Sequence, residues 1–259
     1  MNAEMSSLAD LRRIRWWCDD EVRISIALEA GLESSFNFIG ISGASRYGSD
    51  WRDHVIKALM IDVDGVLVNG RPSDGCHWST DLDADLGLRF DVLRDAFFKR
   101  YWDQIVTGRA DLRACLATVL TEIDSALTVD QVLTYWFRQD ARLNEELLRD
   151  LATIRLGGLR AYLATNQEHE RTRYLMNTLG LAAHVDGCHY SAAIGHRKPR
   201  PAFFRAVALR IGLHPEELLL IDDADENVRA AIEAGWHAAL WTGQERLGDI
   251  VARASRGVP

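Results

Sequence analysis

Cysteine is scarce and scattered. The four cysteines, Cys18, Cys76, Cys115 and Cys188, form no CxxC pair. That pattern excludes a thiolate zinc site and a disulfide framework, and it suits reduced thiols in a cytoplasmic protein. Proline is scarce too, with five in 259 residues, so few linkers can be read. Positive charge is the minority sign: the formal net charge is -8, which gives no support to a nucleic-acid partner. No apolar run approaches the roughly 20 residues of a membrane span, and the N-terminal MNAEMSSLADLRRIRWW lacks the apolar stretch of a secretory signal. We therefore expect no membrane partner and a cytoplasmic location. Internal repeats and low-complexity tracts are also missing. What is present is an ordinary globular composition, 47% apolar and 26% charged, in a chain long enough for a core domain plus a smaller one. An acidic protein that handles an anion must supply positive charge locally, through a metal, a lysine or backbone N–H groups.

The stretch MIDVDGVLV, residues 60–68, breaks an apolar run with two aspartates. Buried carboxylates are costly unless they are paired, hydrogen-bonded or metal-bound. Val55 to Ile61 reads as a strand that ends at DVDG. From 81 to 157 the spacing is helical: Leu86, Phe90, Leu93, Phe97 and Tyr101 recur every three or four residues, and similar series follow. After Gly157-Gly158 strands and helices alternate. LRAYLAT (159–165) is a strand, Glu168 to Leu179 a helix closed by Gly180, and GCHYSAA a short strand. Pro199 to Ile211 is a helix followed by Gly212. LLLID (218–222) is a near-continuous apolar run, as a central parallel strand should be. Glu226 to Ala234 is a helix, and WHAALW a last strand. This alternation predicts a doubly wound parallel α/β sheet with its site at the carboxyl ends of the strands.

Three of these strand candidates end in polar residues: Asp62-Val63-Asp64, Thr165-Asn166 and Asp222-Asp223. Lys198, in GHRKPRP, stands before a crossover helix. A parallel sheet gathers all of them at one rim. Asp62 and Asp64, two apart on an extended chain, point the same way. Carboxylates with oxygen-only ligation suit Mg²⁺. A lysine, a hydroxyl and the N–H groups after the DVDG turn suit a phosphoryl group. One carboxylate can attack phosphorus, and a second can protonate the leaving oxygen and then activate water.

The order DVDGV, LATN, KP, LLLIDDADEN over about residues 55–243 resembles the haloacid dehalogenase superfamily of aspartate-nucleophile hydrolases. The resemblance implies a Rossmann-like core, 55–70 and 157–259, with an all-helical cap, 71–156, inserted after strand one. It implies Asp62 as nucleophile and Asp64 as general acid/base. It implies Thr165 as a phosphoryl ligand, helped by Asn166 and by the backbone at Gly65, and Lys198 as the charge neutraliser. Asp223 matches the metal-ligand position, with Asp222 beside it as a supporting or alternative ligand. Asp62 and the backbone carbonyl of Asp64 would complete the Mg²⁺ site. Because Asp64 is present, the resemblance favours phosphoryl transfer over dehalogenation.

The expected activity is hydrolysis of a small phosphorylated metabolite. A phosphomutase of the beta-phosphoglucomutase type shares the same motifs, and a phospho-ligand-binding regulator without turnover is a reading from another class. Asp81, Asp83 and Asp85 do not form a calcium loop, since Leu86 and Val92 stand where its Gly and Glu belong. They read as an acidic first helical turn. ISGASRYG (41–48) resembles a cofactor-binding glycine turn, but no tyrosine is followed four residues later by lysine, so a short-chain dehydrogenase is disfavoured. Trp78, Phe97, Phe98, Trp102 and Arg109 lie in the expected cap; most of the aromatics read as cap core and some as facing substrate, and Arg109 reads equally as a substrate contact or a solvated helix-start residue. Residues 1–54 match no part of the superfamily pattern. They are read either as lying upstream of the native start or as an extension that packs on the core or mediates association. The sequence assigns no oligomeric state.

Overall fold

The computed structural model describes residues 56–256. The first fifty-odd residues, including the glycine turn at 41–48 and Val55, lie outside the described residues. Five strands form one sheet among these: β1 (Ala58–Ile61), β2 (Arg160–Thr165), β3 (Gly187–Tyr190), β4 (Leu218–Asp222) and β5 (His237–Leu240). Their order is β3-β2-β1-β4-β5, with every neighbouring pair parallel. Ile61 stands in register with both Leu163 and Ile221. The ends of β1, β2 and β4 therefore come level at one rim.

Helices α1 (Leu82–Leu86), α2 (Phe90–Leu93), α3 (Lys99–Val106), α4 (Leu112–Glu122), α5 (Val129–Gln139) and α6 (Glu145–Leu156) fill the span between β1 and β2. The rest are α7 (His169–Arg173), α8 (Ser191–Ile194), α9 (Pro201–Ile211), α10 (Asp225–Glu233) and α11 (Leu247–Ser255). The starts of the longer helices are built from short polar side chains. Asp111 accepts from the Ala114 N–H, Thr128 and Gln131 make a reciprocal box, and Asn144 accepts from the Leu147 N–H. α9 opens with Pro201 and closes at Gly212 in the left-handed region, as proline and glycine each prefer.

Strand alternation splits the core into two layers. Leu59, Ile61, Leu163 and Ile221 face α6, the α7 region and α11, through Leu147, Leu151, Leu175 and Ile250. Ala58, Met60 and Leu220 face α9 and α10, through Phe203, Phe204, Val207 and Ala231. Both faces of the sheet are thus covered, which is why β4 is apolar at almost every position. A separate cluster, from Trp78 through Leu116 to Trp136 and Phe137, is built from α1 to α5.

The packing divides the helical block at a different place from the one expected. Leu147, Leu148 and Leu151 of α6 join the sheet cluster, so α6 belongs to the sheet layer, and 71–156 is not one helical body. Helical periodicity reports an apolar stripe without naming what covers it. The division falls where two connecting strips pair: Val68 bridges Leu143, the Asn69 N–H donates to Arg142 O (2.9 Å), and the Asn144 N–H donates to Leu67 O (2.9 Å). The helix expected over 168–179 is α7 followed by a wider π turn at Tyr174–Thr178. Arg94–Phe98 is a second such turn. No strand occurs within 81–157 among the described residues.

Candidate active site

The site begins where β1 ends. The Asp62 N–H continues the ladder to Ile221 O (2.9 Å), and then the chain leaves the sheet. The N–H groups of Leu67 and Val68 both donate to Val63 O (2.8 Å each), coiling the chain into a tight turn. Gly65 sits in that turn at φ +79°, and a Cβ there would lie 2.2 Å from Asp223 Oδ2. The glycine therefore serves two needs, a left-handed backbone and room for the Asp223 carboxylate.

Lys198 is a buried cation in direct contact with this rim. It is 1% exposed. Its Nζ donates to Asp222 Oδ2 (2.5 Å) and pairs with Asp62 Oδ1 (3.1 Å). Burial opposes its charge, but Asp222 and Asp62 outweigh burial and hold the ammonium above its usual value. Asp222 is fully buried and well supplied with donors. Its Oδ1 accepts from the Ala224 N–H (2.9 Å), and Asn227 Nδ2 reaches both oxygens (3.0 and 3.2 Å). One oxygen each from Asp62, Asp222 and Asp223 lie within 4.8 Å of one another. Burial pushes the Asp62 carboxyl up to about 8. Lys198 pulls it down, and Asp222, Asp223 and Asp64 push it up again. Three carboxylates thus stand beside one ammonium here.

Asp64 has different surroundings. Gln167 Nε2 donates to its Oδ2 (2.6 Å), while its Oδ1 is buried with no hydrogen-bond partner among the described residues. Burial raises this carboxyl to about 7. Asp140 adds to the rise, and Arg171, Gln167 and Lys198 oppose it. Asp140 and Arg171 form a buried pair (3.2 Å) at the end of α5, and Arg171 also donates to Phe137 O (3.2 Å). Burial raises Asp140 as well.

The remaining expected residues fall into place unevenly. Thr165 is buried at the end of β2, two positions beyond the partner of Ile61. Asn166 does not present its side chain as a free ligand. Its Nδ2 donates to Lys198 O (3.0 Å) and its Oδ1 accepts from the Lys198 N–H (2.8 Å), so it clamps the lysine backbone. The Gly65 N–H, expected for a phosphoryl group, donates instead to Val68 O (2.9 Å). A tight turn uses its own donors, which motif spacing alone does not reveal. Phe98 and Trp102 are partly buried in the helical cluster, and Trp78 and Phe97 are fully buried there. Arg109 pairs with Asp103 (2.8 Å). Asp81 pairs with the buried Arg71.

A model of haloacid dehalogenase-like hydrolases matches residues 56–235. The chain belongs to this family of hydrolases. Among curated relatives, a fructose-1-phosphate phosphatase of Escherichia coli is 27% identical over 188 residues, covering 70% of this chain and 93% of that protein. A phosphoglycolate phosphatase of Thiobacillus denitrificans is 26% identical, covering 70% and 80%. A HAD family enzyme of Bacteroides thetaiotaomicron, solved with magnesium and inorganic phosphate, has the same fold. Its TM-score is 0.61 at 20% identity, covering 75% of this chain and 98% of that one.

Four residues around this hydrolase's rim are not anticipated by the sequence: Gln167, Asn227 and the Asp140–Arg171 pair. Gln167 had a usable signal, since it lies two positions after Thr165 and so on the same side of an extended segment. Asn227 had a weaker one, a polar residue in the first turn of the helix after Asp222. Nothing in sequence spacing joins Asp140 to Arg171, because their contact depends on how α5 meets α7.

Proposed function

We propose that this hydrolase is a Mg²⁺-dependent phosphatase of a small phosphorylated metabolite, working in the cytoplasm through an aspartyl phosphate on Asp62. The observation that carries the reading is the contrast between two carboxylates at one rim. Asp62 lies in a lysine-tethered acidic cluster, and Asp64 lies apart under an amide. Two carboxylates in unlike surroundings suit unlike roles.

The acidic cluster suits a hard divalent cation, because carboxylate oxygens of Asp62, Asp222 and Asp223 gather beside one lysine. Asp62, Asp223 and the main-chain carbonyl of Asp64 would hold it; Asp222 supports Lys198 and is the poorer ligand, since its oxygens already accept from Lys198, Asn227 and Ala224. Bound Mg²⁺ supplies charge neutralisation to the phosphoryl oxygens. Asp62 attacks phosphorus as the bond to the leaving oxygen breaks, and Asp64 gives that oxygen its proton. Asp64 then takes a proton from water as the water attacks phosphorus. The bond from phosphorus to Asp62 breaks, releasing phosphate and restoring the carboxylate. Lys198 offsets the charge that grows on the phosphoryl group, and the Thr165 hydroxyl donates to it. The helical cluster of α1 to α5 is the cap in this reading, about residues 71–143, and it shields the chemistry from bulk water.

Phosphate release from a panel of phosphorylated metabolites, with Mg²⁺ and with chelator, tests this. Release that needs Mg²⁺ and falls at least about 10³-fold in Asp62→Asn is expected, as for loss of a nucleophile. No release from any compound by the folded protein would overturn the reading, and phosphoryl transfer between sugar hydroxyls in its place would favour the mutase.

A further inference from the structure

We infer that Gln167 is a positioning residue for the proton transfer, selecting Oδ1 of Asp64 as the oxygen that gives and takes the proton. The inference rests on the phosphatase reading and deepens it. Gln167 is 3% exposed. Its Nε2 lies 2.6 Å from Asp64 Oδ2. An amide NH₂ only donates, so the oxygen beneath it accepts and cannot also carry the carboxyl proton along that line. The other oxygen, Oδ1, has no hydrogen-bond partner among the described residues. The acid form of Asp64 therefore carries its proton on Oδ1, and the base form has its free lone pair there.

The main chain that carries the amide is itself held. Gln167 O accepts from the Ala192 N–H (3.1 Å) and from Ser191 Oγ (3.2 Å). The next residue, Glu168, accepts from the Glu170 N–H (2.6 Å) and the Arg171 N–H at the start of α7. A side chain launched from so fixed a segment can hold a carboxyl in one rotamer. Lys198 does not compete for this task, since its Nζ lies between Asp62 and Asp222. A glutamine that merely filled a core could take any acceptor; this one takes one oxygen of the residue that must move a proton and leaves the other without a partner among the described residues.

The test is the dependence of kcat/KM on the leaving group, across monoesters from alkyl phosphates to para-nitrophenyl phosphate, for wild type, Gln167→Ala and Gln167→Glu. An alkoxide needs its proton as the bond breaks, whereas nitrophenolate leaves with little help. Misplacing Asp64 is expected to lower kcat/KM for alkyl esters by about 10- to 100-fold, within the usual reach of general acid catalysis, and for the nitrophenyl ester by less than about 3-fold. The leaving-group dependence thus steepens. Gln167→Glu keeps the shape and places an acceptor against Asp64, so it separates the hydrogen bond from packing; a matching thermal midpoint verifies the fold. Equal loss for all leaving groups in both variants, or no loss, would overturn the inference and leave the phosphatase reading standing. No phosphate release by the wild type from any ester would overturn both.

Discussion

A Cβ on Gly65 would meet Asp223 Oδ2 at 2.2 Å, and the backbone there has φ +79°. Both facts bear on the same substitution. Gly65→Ala must strain the turn and displace a carboxylate of the acidic cluster. The expected cost is about 1–2 kcal/mol of stability. A rise of 10-fold or more in the Mg²⁺ concentration for half-maximal activity should accompany it, each 1.4 kcal/mol of lost binding being tenfold. Thermal melts and a Mg²⁺ titration check it, and an unchanged titration would remove Asp223 from the proposed ligands. At this scale the sequence was informative about which residues meet and poor about their hydrogen bonds. Asp62, Asp222 and Asp223 were legible because parallel strands bring their ends to one rim, and Lys198 because it stands just before the crossover helix α9. The clamp of Asn166 on the Lys198 backbone was not, because a side chain that is polar at a strand end can face either substrate or its own loop. Gly65 was legible as a turn residue, but its N–H is used by Val68 O, and its close approach to Asp223 depends on a segment over 150 positions away.

Glu168 caps the start of α7. Glu168 is almost fully buried, and its carboxylate accepts from the N–H groups of Glu170 and Arg171. Burial nevertheless wins and raises it to about 7 from its ordinary 4.5. The folded state thus holds a proton that the unfolded state has lost between those two values. Stability falls as pH rises through that window, and below about 4.5 the penalty is absent. Glu168→Gln keeps an oxygen to accept from the helix N–H groups and removes the titration. It should be more stable than wild type at pH 8, by an amount on the order of 1–3 kcal/mol, with the gap closing towards pH 4.5. Denaturant melts across that range check it, and a gap that is constant with pH would contradict the assignment. Elements themselves were well read where pattern and boundary signals agreed: β4 from its apolar run, α9 from Pro201 and Gly212. The π turn after α7 was not readable, since one extra residue per turn barely disturbs an apolar spacing. Neither was the allegiance of α6, whose Leu147, Leu148 and Leu151 repeat like a cap helix but pack on the sheet.

Over the whole molecule, the described residues form a covered parallel sheet with a helical cluster inserted between β1 and β2, and no helix among them is long and apolar enough to cross a membrane. The doubly wound class followed directly from alternating strands and helices after residue 157, together with the ordered motifs. The place where the insert joins the sheet did not, because Val68–Leu143 pairing is a tertiary event between two strips more than seventy residues apart. In the proposed mechanism Asp62, at the end of the middle strand, carries the phosphoryl group between two half-reactions. Acid quench of the enzyme during steady turnover, followed by peptide mass spectrometry, tests that most directly. A phosphoryl adduct is expected on the peptide at Asp62 and is expected to be absent from Asp62→Asn. An enzyme that turns over with no adduct there, or with the adduct on another residue, would contradict it.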